Sequence, residues 1–275
     1  MNIGTAGSIS LLLQALILPC LFASNKVTLN IIGGTCGKGQ APVDYLQNVF
    51  LPQLERFAKI ELKIWKRGYY PKGGGRVTVE ISPRWKLKEY DNFEAFAEEL
   101  SSKIYPITIM KRGTLEQIRG VVNCSAALQE KEVAERVKSA AENSLKELGV
   151  PISIRVDYAQ SASIGGEIVL WAIFGAADEN PVRVGSDALM DERKSSEQVG
   201  AEAAAKLKEE MKAGFAVDRH LADQLIPLMG LLPSSAIYSG DITKHVETNM
   251  YVVEQFLPVL FKVEKQTIRV EQKDL

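Results

Sequence analysis

The sequence predicts an α+β fold: repeated units of helices packed on four-stranded sheets, with a smaller α+β domain inserted between them. Three observations predict it. A helix-like run, a Leu-Pro or Ile-Pro step and a strand-like run recur at Ser8–Ile32, Val43–Lys66 and Asn249–Val270, with a weaker copy at Leu221–Tyr238. Proline lacks the N–H of a helix interior and clashes with the preceding turn, so each step marks the end of a helix. Recurrence of the step marks one supersecondary unit used several times. Pro19, Pro52 and Pro258 are therefore expected at one equivalent place between a helix and the following strand. Second, Ile60–Lys66 and Arg76–Ile81 alternate with the period of two of half-buried antiparallel strands. Third, the rhythm breaks between Arg112 and Gly214. Strand-like runs at Ile118–Ala126, Ile152–Ala159, Glu167–Phe174 and Val182–Leu189 share that block with helix-like runs at Glu130–Leu148 and Ser195–Lys212. Gly149 and Gly214 close the two helices. The expected division is a core of 1–111 and 215–275 around an inserted domain of 112–214.

Composition narrows the function. The chain has 275 residues, 46% of them hydrophobic, enough for a packed core. Its formal charge of −1 argues against a surface that coats nucleic acid non-specifically, because that affinity comes from Lys and Arg neutralising phosphates. A protein that grips only the end of an RNA is still allowed. Cys20, Cys36 and Cys124 form no CxxC and no even framework, which fits a reducing cytoplasm. The apolar run Ile9–Ala23 has no Lys or Arg before it and contains Gln14 and Pro19, so it reads as a buried helix, not a signal peptide or membrane span.

Glycines then point to ligand contacts. Gly4-Thr5-Ala6-Gly7-Ser8 leads straight into the apolar helix, either as an anion-binding helix start or as a tight turn with Ser8 as cap. Gln14, an amide inside the apolar stretch, needs a partner, and a ligand or metal-bound phosphate supplies one. Gly33-Gly34-Thr35 ends a strand; Ala41-Pro42 opens the next helix, where small residues let a flat ring approach the backbone, or simply form a loop. Tyr69–Gly75 is a glycine-rich turn with Lys72 available to a phosphate. It is no P-loop, since neither GKS nor GKT follows and a strand comes next.

The two histidines carry the most specific geometry. With a helix from Asp218 to Gly230, His220, Asp223 and Gln224 stand at i, i+3 and i+4 on one face, while Leu221, Leu225 and Leu228 line another. Asp and Gln together read an adenine edge or a ribose. Two histidines without a further His/Cys cluster are weak for zinc. His245 precedes Thr248 and Asn249 at the start of a helix expected over Met250–Phe256; an imidazole there can act as a nucleophile near groups that steady a phosphoryl group.

Taken in order, these segments resemble the RNA 3′-terminal phosphate cyclase family. The matching stretches are Ile3–Ser8 with Leu13-Gln14, Gly33-Gly34-Thr35, Pro42–Leu46, Gly68–Gly75, His220–Leu225, and His245 with Thr248-Asn249 before Val253–Pro258. The 112–214 block falls where that family carries its inserted domain. The resemblance implies an ATP-dependent enzyme of the ligase class. It adenylates a histidine, passes AMP to an RNA 3′-phosphate, and lets the 2′-OH expel AMP to leave a 2′,3′-cyclic phosphate. It implies His245 as nucleophile, Gln14 as a contact to the ATP phosphates and to a divalent metal ion (Mg or Mn), and His220, Leu221, Ala222, Asp223 and Gln224 as the adenosine-binding stretch. Ala41, Pro42, Thr248 and Asn249 are implied as neighbours of adenine or phosphate. The implied partner is an RNA 3′-phosphate end; nothing points to a membrane.

The family pattern begins before Met1, with a Gly-Glu-Gly-Gly-Gly-Gln-Ile-Leu-Arg motif and an Arg pair that this sequence does not contain. Without those contacts, ATP binding and RNA-end recognition by this chain alone are expected to be weaker. The competing expectation on the same scaffold is a non-catalytic, cyclase-like protein that binds RNA in ribosome assembly. His245 speaks against it, because a scaffold has no need of that nucleophile.

Overall fold

In the structure, a computed structural model that describes residues 1–175, 181–212 and 214–273, the first helix begins where Ser8 closes it. The Ser8 hydroxyl accepts from the Leu11 N–H at 3.1 Å, the capping expected of a serine at that position. This helix, α1 (Ile9–Leu21), buries Ile9, Ser10, Leu13, Ile17 and Leu21 and exposes Leu11. The apolar run is thus a half-buried helix, not the wholly buried one its composition suggests. Strand β1 (Val27–Gly33) follows. Next comes a helical segment that tightens along its length, from an α turn (Val43–Tyr45) through a π stretch (Leu46–Phe50) to a 3-10 turn (Leu51–Leu54), together α2. Strands β2 (Ala58–Lys66) and β3 (Gly75–Pro83) complete the unit. The sheet order is β1-β3-β2, antiparallel throughout, with Val77, Val79 and Ile81 of β3 turned into the core.

A second unit repeats this topology around a long interruption. Helix α3 (Phe93–Lys103) and the short strand β4 (Thr108–Ile109) lead into the inserted block. That block contains β5 (Thr114–Ser125), α4 (Val133–Leu145), β6 (Ile152–Ala159), β7 (Gly166–Gly175), β8 (Val182–Leu189) and α5 (Ser196–Lys212). The chain then resumes the unit with α6 (Arg219–Leu231), β9 (Ala236–Tyr238), α7 (Lys244–Phe256), β10 (Val259–Glu264) and β11 (Thr267–Gln272). In this sheet β4 pairs parallel with β9, β9 antiparallel with β11, and β11 antiparallel with β10. The first unit has the same sequence of pairings: Asn2 bridges parallel to Ile32 of β1, β1 pairs antiparallel with β3, and β3 with β2. Its sheet holds three strands where four were expected, with only that bridge on the outer edge.

The proline step marks the repeat, but not in the register expected. Pro19 lies inside α1 and Pro227 inside α6, the first helix of each unit. Pro52 and Pro258 belong to the second helices, and they differ from each other. Pro52 sits in the first turn of a 3-10 segment, whereas Pro258 lies past Leu257, the C-cap of α7, directly before β10. A proline whose missing N–H falls on the solvent side can be absorbed into a helix, so a Leu-Pro step does not by itself fix where the helix stops.

In the inserted block the sheet order is β6-β5-β7-β8, with β5 and β6 parallel and α4 as the crossover between them. Helices α4 and α5 cover one face. They approach closely where Gly200 lies 2.2 Å, measured from an added Cβ, from the Val137 carbonyl, so no side chain fits there. The Ser186 hydroxyl donates to the Ala203 carbonyl of α5 at 2.9 Å. The opposite face packs on the first unit, and Gly185 leaves room for the Tyr45 ring, 2.5 Å from where its Cβ would be. A buried polar seam fills the same boundary. Arg67 forms a bidentate pair with Asp44 and reaches Asp157 of β6 at 3.0 Å; the Tyr69 hydroxyl donates to Asn123 at 2.8 Å, and Asn123 donates to Glu167 at 3.0 Å. Where the block leaves the core, Arg112 donates to the Glu210 carbonyl at 3.0 Å and to the Met211 carbonyl, with its guanidinium 5.0 Å from the Phe174 ring.

Candidate functional site

Asp218 organises the start of α6. It is buried, and its carboxylate accepts from the N–H groups of His220 and Leu221, each at 3.0 Å, which closes the helix as a cap should. The same carboxylate accepts from the Gly185 N–H of β8 at 2.9 Å and from the Tyr45 hydroxyl of α2 at 2.5 Å. Burial, with Asp218 alongside, pushes the Tyr45 phenol well above its ordinary pKa, so it stays a donor. One side chain thereby joins both core units and the inserted block.

This cap orients the face predicted for α6. The His220 ring stands 5.7 Å from the Tyr45 ring, edge-on at 74°, a favourable arrangement of π-systems. One turn further, Asp223 accepts from the Asn249 side chain, 2.6 Å at Oδ1 and 3.2 Å at the backbone carbonyl. That bond fastens α6 to α7. Burial raises the Asp223 carboxyl from its ordinary value; His245, His220 and the Asn249 bond pull the other way without cancelling it. His245 is exposed in the first turn of α7 and close enough to act on Asp223. Gln224 is 9% exposed, and its Oε1 has no hydrogen-bond partner among the described residues. A buried acceptor left open beside Asp223 fits a ligand that supplies a donor.

Two expectations need adjustment. His245 does not precede its helix: α7 starts at Lys244, because Thr243 accepts from the Val246 N–H at 3.3 Å and caps it there. His245 therefore sits at the positive end of a helix dipole, where an anion is favoured. The Thr248 hydroxyl is taken by the Lys244 carbonyl at 2.7 Å. Leu221 and Ala222 are core residues whose side chains are buried, so only their backbone is left to face a ligand.

Gln14 stands on a different element, α1. It is half-buried on α1, and its amide makes no side-chain hydrogen bond among the described residues. No hydrogen bond, ion pair or ring contact among those residues joins it to the α6–α7 group. The link is indirect. The Ser10 hydroxyl donates to the Ala41 carbonyl at 2.5 Å, and the buried Ala41-Pro42 pair leads into Tyr45 and so to Asp218. Tyr45 and Asp218 were not singled out by sequence reasoning as site residues. Asp218 carried a signal nonetheless, an acidic residue directly before a helical periodicity. Among the described residues no group of three or more His, Cys, Asp or Glu side chains is placed to hold a metal ion, and no helix is long and apolar enough to cross a membrane.

Comparison with known proteins adds a family. A family model described as RNA 3′-terminal phosphate cyclase matches residues 1–263. A Pyrococcus abyssi protein named RNA 3′-terminal phosphate cyclase is 40% identical over 264 residues, covering 96% of this chain and 70% of the relative. Proteins of the same name from Pyrococcus furiosus and Korarchaeum cryptofilum are 39% and 36% identical, covering 99% and 96% of this chain and 74% and 69% of their own lengths.

Proposed function

The chain belongs to the RNA 3′-terminal phosphate cyclase family, and on that premise we propose that it converts an RNA 3′-terminal phosphate to a 2′,3′-cyclic phosphodiester at the expense of ATP, with His245 as the nucleophile. The observation that carries the assignment to this site is the Asp223–Asn249 bond. It holds the α6 face bearing His220, Asp223 and Gln224 against the α7 turn bearing His245.

In this reading the imidazole of His245 attacks the α-phosphorus of ATP. A P–N bond forms as the α–β phosphoanhydride breaks, and pyrophosphate leaves. An oxygen of the RNA 3′-phosphate then attacks the same phosphorus and frees the imidazole. Finally the neighbouring 2′-OH attacks the RNA phosphorus, losing its proton, and AMP departs. Dividing the activation between two transfers replaces one difficult step by easier ones. Asp223 and Gln224 receive adenosine, with the open Oε1 of Gln224 as an acceptor for an amino group or ribose hydroxyl. The N-terminus of α7 favours the phosphates beside His245. Ala41, Pro42 and Asn249 border this region, and Gln14 approaches the phosphates from α1. Among the described residues no group of His, Cys, Asp or Glu side chains forms a metal cage, so a divalent ion would be held chiefly by the ATP phosphates, offsetting their charge.

The test is labelling with α-labelled ATP in the presence of Mg or Mn. The expected product is protein carrying AMP through an acid-labile, alkali-stable bond, lost on chelation and absent from His245→Ala. His245→Asn should abolish labelling while ATP binding persists, and Asp223→Ala should weaken ATP binding. Undiminished labelling of His245→Ala removes His245 from the chemistry.

A further inference from the structure

Away from the histidines, two adjoining depressions of about 420 and 330 Å³ run along the boundary between the first core unit and the inserted block, sharing Gln47 and Arg155. Their walls come from β2 and α2 on one side and from β5, β6 and β7 on the other. Lys63, Arg119 and Arg155 supply positive charge, Gln47 and Gln117 supply amides, and Trp171 lies in the floor. We propose that this groove binds the phosphodiester backbone of single-stranded RNA upstream of the reacting 3′ end, a contact distinct from the ATP site. The inference rests on the functional reading above for its choice of polyanion.

The charge balance is local and specific. Arg67 is matched by the buried Asp44 and by Asp157. Burial opposes its charge, yet the attraction of Asp44 holds its pKa above the ordinary value. Those acids are therefore spent. Arg155 is 63% exposed in its side chain and reaches only the already paired Asp44, at 3.6 Å. Among the described residues neither Lys63 nor Arg119 has an acidic partner within ion-pair distance. Lys63 lies 3.6 Å over the Trp65 ring, and Arg119 donates to Gln117 at 2.9 Å. Arg183 of β8 has a buried Nη1 with no hydrogen-bond partner among the described residues, and it feels the charges of Glu55 and of Arg119. In a chain of formal charge −1, this concentration of unmatched cations is not the average surface. Guanidinium groups with neighbouring amides suit a phosphate track, because arginine presents several donors in a fixed fork. Gln47 and Asn48 also lie within one helical turn of Tyr45, the buried residue whose ring packs on His220, so the groove and the histidines belong to neighbouring parts of the fold.

The test compares 3′-phosphorylated RNAs of two lengths, a dinucleotide and an oligomer of about twelve nucleotides, the span of a typical single-strand groove. In the full chain, Arg119→Gln combined with Arg155→Gln should weaken binding of the longer RNA about tenfold or more at moderate salt and reduce the salt slope by about 1.4, two single-strand phosphate contacts. Binding of the dinucleotide and self-labelling with ATP should be unchanged. Lys208→Gln, on α5, serves as a surface control with no expected effect. Equal affinity of the double variant for the longer RNA overturns the proposal, and so does an equal loss for both lengths. If the wild-type chain binds the longer RNA through these arginines but never takes label from ATP, the groove stands and the enzymatic reading fails.

Discussion

The Tyr45 hydroxyl donates to Oδ1 of Asp218 at 2.5 Å across a separation of 173 residues. Both groups are buried, so the bond lies in a setting where an unmet polar atom is costly. Tyr45→Phe removes one donor from a charged acceptor and should destabilise the protein by about 1.5–3 kcal/mol. Asp218→Ala also removes the α6 cap, worth about 1 kcal/mol more, and should weaken ATP binding because His220 loses its anchor. Urea unfolding of the two variants measures both effects; a Tyr45→Phe protein as stable as wild type would show that the backbone donors alone satisfy Asp218.

Asp223 gives a pH signature. Its folded carboxyl has a raised pKa, chiefly through burial. The folded state therefore favours the protonated form, and the charged form is penalised as pH rises through the folded pKa. Asp223→Asn keeps the acceptor that Asn249 uses and removes that penalty. The variant should be more stable than wild type at neutral pH, with the difference shrinking as pH falls through the raised folded pKa and gone once pH is below the ordinary carboxylate range. Melting temperatures of both proteins across pH decide the matter: a constant offset would mean that ionisation of Asp223 contributes nothing.

The pair of Arg67 and Asp44 tests the boundary of the inserted block. Both side chains are almost wholly buried, 3% and 0% exposed. Asp44→Ala leaves a buried guanidinium with only Asp157 and should cost about 3–5 kcal/mol. Replacing both with apolar residues of similar size should cost less than the single change, since no lone charge is left inside. A double-mutant cycle measured by denaturant unfolding reads the coupling directly, and its absence would show that Asp157 suffices for Arg67.

Thiol reactivity should follow burial. Cys36 and Cys124 are buried, and burial pushes Cys124 up to about 12 and Cys36 well above its ordinary value. Cys20 is only partly covered. Alkylation of the native protein near neutral pH should mark Cys20 first, because only the thiolate attacks and the other two are held as thiols. Mass spectrometry of partly modified protein identifies the order; early modification of Cys124 would mean that the inserted sheet opens readily.

Much of this architecture is legible in the sequence, for identifiable reasons. Strands Ile152–Ala159 and Val182–Leu189 match their expected limits to the residue, and a proline, Pro151 or Pro181, stands directly before each and marks where it begins. The α6 trio follows from spacing alone. Helix α3 is not among the expected elements, although Asn92 caps it, accepting from Ala95 N–H at 2.8 Å, and Phe93, Phe96 and Leu100 give it an apolar stripe. Helix α7 starts earlier than the expected Met250 because Thr243, not the residues nearer Met250, accepts from its first turn. The contacts that assemble the candidate site, Tyr45 with Asp218 and Asp223 with Asn249, join segments whose proximity no local pattern encodes. For Gln14 the spacing names a polar residue in an apolar helix but says nothing of which distant element it faces.

The clasp made by Arg112 on the carbonyls of Glu210 and Met211 bears on how the molecule is assembled. Strand β4 is synthesised before the inserted block, and its parallel partner β9 after it. Closing that pair in an unfolded chain means restricting a loop as long as the whole block, and the entropy lost grows with loop length. Once the block has folded and its two ends are clasped, β4 and β9 are separated by a short connector on one side and by helix α6 with its flanking turns on the other. The loop that β4 and β9 must close is then shortened from the whole block to little more than α6, and its entropy cost falls with it. By the same geometry, changes of length among the outer turns of the block leave the register between β4 and β9 untouched.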